Sequence, residues 1–328
     1  MISPALRIAL VIFAALLCLA LSPFAGPVWI SPLEALDPAS PEYLIFWRLR
    51  LPRSLGAFIA GSGLSLCGLA FQALFRNPLA TPFTLGISSG AALGAALYSR
   101  FGPDAAFPGG GVASGLAGCL AAMLAVYLLA SGGGGFSAGA LLLAGVIINF
   151  FFSSMVMFVQ YASNAQDAAQ IMRWLMGSLA GISPAALPGL ALVLCCGYWI
   201  FAKIAPELDL LLAGEELAAS RGVDVRRVKL LVFGAGSFLA GIIVAFSGPI
   251  GFVGMMIPQI CRLLLGQTHA RLVPAVFFMG GGFLVVCDLA ARTLLAPAEL
   301  PIGILTSMLG APFFLWMLYR GDSRGTLL

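Results

Sequence analysis

LPRSLGAFIAGSGLSLCGLAFQAL, residues 51–74, carries a single charge, Arg53, near its start, and the 21 residues after it are uncharged. A helix rises 1.5 Å per residue, so about 20 such residues cross the hydrocarbon of a bilayer. This run predicts a membrane span, and the pattern recurs along the chain. Apolar runs bounded by charges, prolines or glycines fall at 5–25, 51–74, 83–99, 110–130, 139–161, 186–205, 228–247, 249–265, 272–295 and 301–319. The expected fold class is all-α: a polytopic membrane helix bundle of about ten transmembrane helices, one domain over residues 1–328. The third and eighth runs are short and glycine-rich, which predicts helices packed deep in the bundle, where small residues let backbones approach closely. The first run follows Arg7 as a signal peptide would. Pro23 and Phe24 precede a poor small-residue cleavage site, so a retained helix is expected.

Composition agrees. Of 328 residues, 61% are apolar and 9% charged, and mean hydropathy is +1.04; soluble domains average about 45–50% apolar and about 25% charged. No room is left for a large soluble domain. The net charge of +4 is divided between the two sides of the membrane, so no basic surface for a nucleic acid is expected. Seven cysteines, Cys18, Cys67, Cys119, Cys195, Cys196, Cys261 and Cys287, fall inside apolar runs without a C-x-x-C pair, and read as small buried hydrophobes. His269 is the sole histidine, which argues against a histidine-ligated haem or zinc.

An even number of spans puts both termini on one side. Assigning them to the cytoplasm places Arg7, Arg76, Lys203, Arg221, Arg226, Arg227, Lys229, Arg262, Arg271, Arg320 and Arg324 inside, and Arg48, Arg50, Arg53, Arg100, Arg173 and Arg292 outside. Eleven against six follows the positive-inside tendency. Three of the outer arginines crowd into residues 48–53, where insertion disfavours them.

The cytoplasmic segment 203–229 holds ten of the thirty charged residues, as a contact surface or a solvated face would. Within it, Gly214, Glu215, Glu216, Leu217, Ala218, Ala219, Ser220, Arg221 and Gly222 read as a short helix, acidic at its positive N-terminal end, with Arg221 at the other and Gly222 as the stop. Ala218 and Ala219 are expected to leave one face smooth; an ordinary capped loop helix is the alternative. On the outer side, residues 163–184 are too polar to span, yet Ile171, Met172, Trp174, Leu175 and Met176 around Arg173 predict a short interfacial helix. The Gly132 to Gly135 run looks like a phosphate cradle but lacks a following G-K-[ST], and reads as a turn. Any nucleotide energy must therefore enter through another subunit.

Ionisable groups deep in spans mark ion pathways. Here the polar residues within spans are neutral (Gln72, Asn149, Gln160, Gln259), and Asp288 lies four residues before Arg292 on one helical face. A charge pair is expected there, with a proton-binding site as the alternative. No paired carboxylates, activated nucleophile or metal-ligand set points to a membrane enzyme. A pathway through the bilayer is the remaining use.

Several segments resemble one family in order and spacing: Arg50-Leu51-Pro52-Arg53; Gln72, then Arg76-Asn77-Pro78-Leu79-Ala80-Thr81-Pro82; Leu85-Gly86-Ile87-Ser88-Ser89-Gly90-Ala91; Leu142-Leu143-Ala144-Gly145; Arg173-Trp174-Leu175-Met176-Gly177; the Gly214-Glu215-Glu216 loop; Gly251-Phe252-Val253-Gly254; Pro258 with Arg262; Asp288 with Arg292; and Glu299-Leu300-Pro301-Ile302-Gly303 to Gly310-Ala311-Pro312. The chain resembles the FecCD-type permeases of ABC importers for iron-siderophores, haem and vitamin B12, over about Trp29 to Tyr319.

The resemblance implies a type II importer half: ten helices per subunit, a second permease subunit, two ATP-binding subunits that hold ATP and Mg, and an extracytoplasmic substrate-binding protein; a homodimer is the favoured pairing, with a heterodimer of paralogues as the alternative. No cofactor is implied in this chain, and hydrolysis belongs to the partner subunits. The implied location is a bacterial inner membrane with both termini cytoplasmic. Arg50, Arg53 and Arg292 match positions that offer positive charge to acidic lobes of the binding protein, where complementary charge sets orientation and encounter rate; arginines snorkelling at a helix end are the alternative. Gly214, Glu215, Glu216, Ala218, Ala219, Arg221 and Gly222 match the coupling helix that sits in an ATPase cleft. Asn77 and Leu79 match one cytoplasmic constriction, and Ser137, Ala138 and Gly139 occupy the place of the other, smaller and less polar than in some relatives. Arg173 and Trp174 match the outer mouth. Gln259 stands where the family usually has histidine, keeping a hydrogen-bonding group that cannot titrate. The Leu79 to Gly90 segment resembles siderophore permeases slightly more than cobalamin ones. An ion-coupled secondary carrier without an ATPase is the runner-up function.

Overall fold

The computed structural model describes residues 3–102, 109–132 and 137–322, and all regular structure among them is helical. The ten expected spans correspond to α1 (Pro4–Leu21), α4 (Leu51–Phe75), α5 (Ile87–Phe101), α6 (Gly110–Ser131), α7 (Ala138–Tyr161), α9 (Leu187–Lys203), α12 (Val225–Ser247), α13 (Val253–Leu265), α14 (His269–Thr293) and α15 (Ile302–Asp322). Seven of the described helices are long and apolar enough to cross a membrane, α4 counted together with the helical turns before it; α13 and α15 are shorter apolar helices and α5 has 15 residues. Between the spans lie α2 (Pro32–Leu36), α3 (Pro41–Leu44) with a π-helical turn at Ile45–Arg50, α8 (Ala165–Leu175), α10 (Ala205–Ala213) and α11 (Glu215–Ser220). The reading of the glycine run as a turn falls on Gly133 to Gly135, and Arg324 of the charge count also lies outside the described residues.

The helix α4 is buried along almost its whole length, with α9, α12, α13 and α14 packed around it and α1 lying outside α14. Lipid tails are as apolar as leucine, so close van der Waals packing rather than water exclusion drives such contacts. Glycines set the distances: a Cβ on Gly68 of α4 would sit 1.7 Å from the carbonyl oxygen of Gly254 in α13. The short α5 crosses α6 in the same way, a Cβ on Gly90 lying 2.4 Å from Gly118 O. Both short glycine-rich runs are thus packed deep, as their composition predicts.

The two ends of the bundle are distinct. Asp288 and Arg292 at the end of α14 meet Arg53 at the start of α4, and we call this the Arg53 end, which the arginine count assigns to the outside. At the Leu79 end, α1 is tied to α13 by Arg7 Nη1, which donates to Leu264 O at 2.7 Å.

Two expectations are corrected. Cys67, Cys119, Cys261 and Cys287 are buried, but Cys195 and Cys196 are exposed on α9, because the outer face of a span is apolar without being covered by protein. Segment 203–229 is not merely a solvated loop with one short helix: α10 precedes α11 and buries Ala205, Leu208 and Leu211 in the main core.

Candidate functional site

At the Arg53 end, the guanidinium of Arg53 donates from Nε to Asp288 Oδ1 and from Nη1 to Glu299 Oε2, each at 2.8 Å. Arg292 Nε lies 3.1 Å from the other Asp288 oxygen, and its Nη2 donates to Ser22 Oγ at 2.9 Å. Asp288 is fully buried and Arg292 is 5% exposed, whereas the Glu299 side chain is half exposed. The expected i,i+4 pair is present, and Arg53 completes it. Arg50 is turned away from this cluster: Nη1 donates to Phe24 O at 3.1 Å and Nη2 to Val28 O at 2.7 Å, in a space that a Cβ on Gly26 would close at 2.7 Å from Cζ. Arg50 thereby satisfies carbonyls of the irregular chain after α1. The three arginines are drawn together in one region, with Arg50 and Arg292 committed to internal partners and only Arg53 bound to a carboxylate that reaches solvent. Snorkelling does not describe them.

The interfacial helix is α8, capped by Asn164, whose Oδ1 accepts from Asp167 N at 2.8 Å. Ile171 points into a small core, and exposed Arg173 and half-buried Trp174 stand in its last turn. Gly177 then turns the chain at φ +72°, where a Cβ would meet Pro249 O at 2.5 Å, and Ser178 N donates to Ser247 O at 2.7 Å. Gly303 N at the start of α15 donates to Met176 O at 3.1 Å. These turns wall a cavity of about 630 Å³ lined by Phe83, Met176, Pro249, Gly251, Ser307 and Met308. Its walls are neutral and largely apolar, so they offer a bulky ligand few points of strong attachment.

At the Leu79 end, α4 stops at Arg76 in the left-handed region (φ +48°), and Asn77 Oδ1 accepts from Leu79 N at 2.9 Å, forming an Asx turn. Leu79 is 53% exposed. Ser137 caps α7 by accepting from Ala140 N at 3.1 Å, with Gly139 exposed and Ala138 half-buried beside it. Gly145, further along α7, lies against the turn before α5, a Cβ there being 2.8 Å from Thr84 O.

Gln72 and Gln259, neutral polar residues on separate spans and Gln259 in the place of the family's histidine, are brought by the fold into one cluster. Pro258 inside α13 has no N–H to offer the carbonyl four residues back, Gly254 O. Gln72 Nε2 lies 3.4 Å from that oxygen and donates to Met255 O at 3.2 Å. Gln72 Oε1 in turn accepts from Arg262 Nη1 and, at 3.2 Å, from Gln259 Nε2, which also reaches Pro78 O at 3.5 Å. A buried amide thus repairs a proline break, as polar groups at membrane depth require.

The short helix occupies Glu215–Ser220, with Gly214 and Arg221 as caps and Gly222 at φ +84°, close to its expected bounds. Its two alanines do not share a face: Ala218 is fully buried while Ala219 is exposed, because neighbours on a helix diverge by about 100°. Glu215 is drawn to buried Lys229 at 2.6 Å, which leaves Glu216, Leu217, Ala219 and Arg221 on the outward side. Also unforeseen is the tie between Asp209 and His269, whose Nδ1 lies 2.6 Å from Oδ1. Its only trace in the sequence was a lone histidine on the side of the membrane to which the acid-bearing segment 203–229 is assigned.

The vitamin B12 import system permease protein BtuC of Klebsiella pneumoniae is 38% identical over 311 residues, covering 94% of this chain and 92% of that protein. An uncharacterised ABC transporter permease protein, YvrB, of Bacillus subtilis is 40% identical over 87% of this chain and 81% of its own. A solved structure described as a metal-chelate type ABC transporter in an inward-facing conformation superposes with a TM-score of 0.86 at 30% identity, covering 96% of this chain and 99% of that one. A family model matches residues 12–320, and the chain belongs to the FecCD transport family.

Proposed function

We propose that this chain forms half of the pore of an ATP-driven importer for a metal chelate, with a corrinoid as the first candidate. The neutral-walled cavity beside α8 and α15, open on one side of a single chain, carries this reading. A second copy completes the pathway, two ATP-binding subunits act on α11, and an extracytoplasmic binding protein delivers the chelate at the Arg53 end. The chain itself performs no chemistry; ATP and Mg belong to the partners. Both termini lie on the cytoplasmic side of a bacterial inner membrane. The residues 77–79 and 137–139 form the inner constriction, and Arg173 and Trp174 stand at the outer mouth. Named relatives that import vitamin B12 favour a corrinoid over the ferric siderophore suggested by residues 79–90.

Ion coupling has less support: Asp288, the acid in the spans that would carry protons, is held between two arginines. The test is uptake of radiolabelled cyanocobalamin, ferric siderophore or haem by cells expressing the whole system, with the proton gradient collapsed and ATP held constant. Uptake of one of them that survives collapse and stops on ATP depletion is expected. Uptake that follows the proton gradient overturns the ATP-driven reading.

A further inference from the structure

The first N–H groups of a helix have no partner within it and need an acceptor from elsewhere. At the start of α14, Thr268 makes no side-chain cap, and the acceptor comes from a different helix. Asp209 Oδ1 of α10 receives the backbone N–H of His269 at 2.9 Å and lies 2.6 Å from its ring Nδ1. His269 is completely buried and the Asp209 side chain is 34% exposed, so the joint holds a buried ring from the edge of the bundle. A carboxylate at the positive end of α14 is also favoured by the helix dipole.

The joint lies between two regions already described. On one side, a single residue, Gly214, separates α10 from α11, and Glu215 anchors α11 to Lys229 of α12. On the other side, only residues 266–268 separate α13 from α14, too few to absorb a large shift. The helix α13 then carries Arg262 and Gln259 to Gln72, and Gln259 reaches Pro78 O inside the 77–79 turn. Gly68 and Gly254 are in backbone contact, so α13 cannot slide over α4 without moving its end.

We infer that Asp209 and His269 are positioning residues that pass displacement of α10 and α11 to the turn at Asn77 to Leu79 through α13 and Gln72. The inference rests on reading α11 as the ATPase contact and 77–79 as the inner constriction. Packed elements with two arrangements, biased from one end, are what such transmission requires.

The experiment uses the complete permease–ATPase complex in nanodiscs, carrying Leu79→Cys with Cys195→Ala and Cys196→Ala. The rate of maleimide labelling at position 79 is measured without nucleotide and with ATP and vanadate, beside ATP hydrolysis. This parent is expected to label at different rates in the two states. Adding Asp209→Ala should reduce that ratio by about five-fold, within the range such side-chain networks carry, while the ATPases remain bound and hydrolysing. Asp209→Asn keeps the acceptor for His269 N and should restore most of the ratio. An unchanged ratio in Asp209→Ala overturns the inference, and loss of hydrolysis along with the ratio replaces it with a purely structural role. A parent whose labelling ignores nucleotide overturns the constriction reading itself, and the inference with it.

Discussion

Arg53 and Asp288 are 235 residues apart in sequence and 2.8 Å apart in space, and their contact ties the start of α4 to the end of α14. With Arg292 on its other oxygen, the buried carboxylate balances two cations that would otherwise repel each other. Charges at this depth are costly alone and tolerable only when paired.

Asp288→Ala should therefore cost about 3–5 kcal/mol of stability, the range for breaking a buried pair from one side. Thermal unfolding of the detergent-purified chain by fluorescence size-exclusion measures it. A melting temperature equal to that of the wild type would mean that the arginines find solvent or lipid headgroups without their acid.

Charge reversal at the arginines should separate two roles. Arg50→Glu and Arg292→Glu are expected to destabilise the chain, since both groups are bound internally. Arg53→Glu would set a carboxylate against buried Asp288 and is expected to destabilise the chain too, so docking is tested through Glu299→Gln, which removes a half-exposed partner of little energetic worth. Glu299→Gln should leave the melting temperature unchanged and strengthen association with the binding protein by about two- to five-fold, because two arginines then face a single carboxylate, Asp288, and the cluster carries a net positive charge. Surface plasmon resonance reads the change, and equal affinity would remove Arg53 from the docking surface.

Around α11, Ala219→Trp and Glu216→Arg should detach the ATPase without harming the fold, because both residues face outward. Ala218→Trp should prevent folding instead, since that position has no free surface. Co-purification of the ATPase with each folded variant decides the point. Retained ATPase with Ala219→Trp would place the contact elsewhere.

Gly254→Ala brings a methyl group to within 2.6 Å of Leu64 O and forces α13 away from α4. The expected cost is about 1–3 kcal/mol, with lost substrate uptake as the neighbouring Gln72 cluster is disturbed. Gln72→Leu tests that cluster directly: it leaves Gln259 and Arg262 without their acceptor and should cost a similar amount, about 1–3 kcal/mol. Differential scanning fluorimetry of both variants checks the pair.

The sequence by itself determined the spans, because hydrocarbon permits only one arrangement of an isolated apolar segment, a helix that satisfies its own backbone. Pattern and length sufficed for the runs at 51–74 and 139–161, whose ends agree with α4 and α7 within a residue. The interfacial helix before Met176 and the short helix after Gly214 were legible for a related reason: caps and charge placement act within one turn. Family membership followed from motifs whose order survives in the chain. What only the tertiary structure decided is which side chains meet. Arg50 turns to the carbonyls of Phe24 and Val28 while Arg53, three residues on, reaches Asp288 and Glu299. Ala218 and Ala219 part company, and Asp209 caps a helix that begins sixty residues later. Those outcomes depend on where distant helices cross, and crossings are set by close packing at glycines such as Gly68 and Gly254, a relation between two surfaces that neither segment encodes alone.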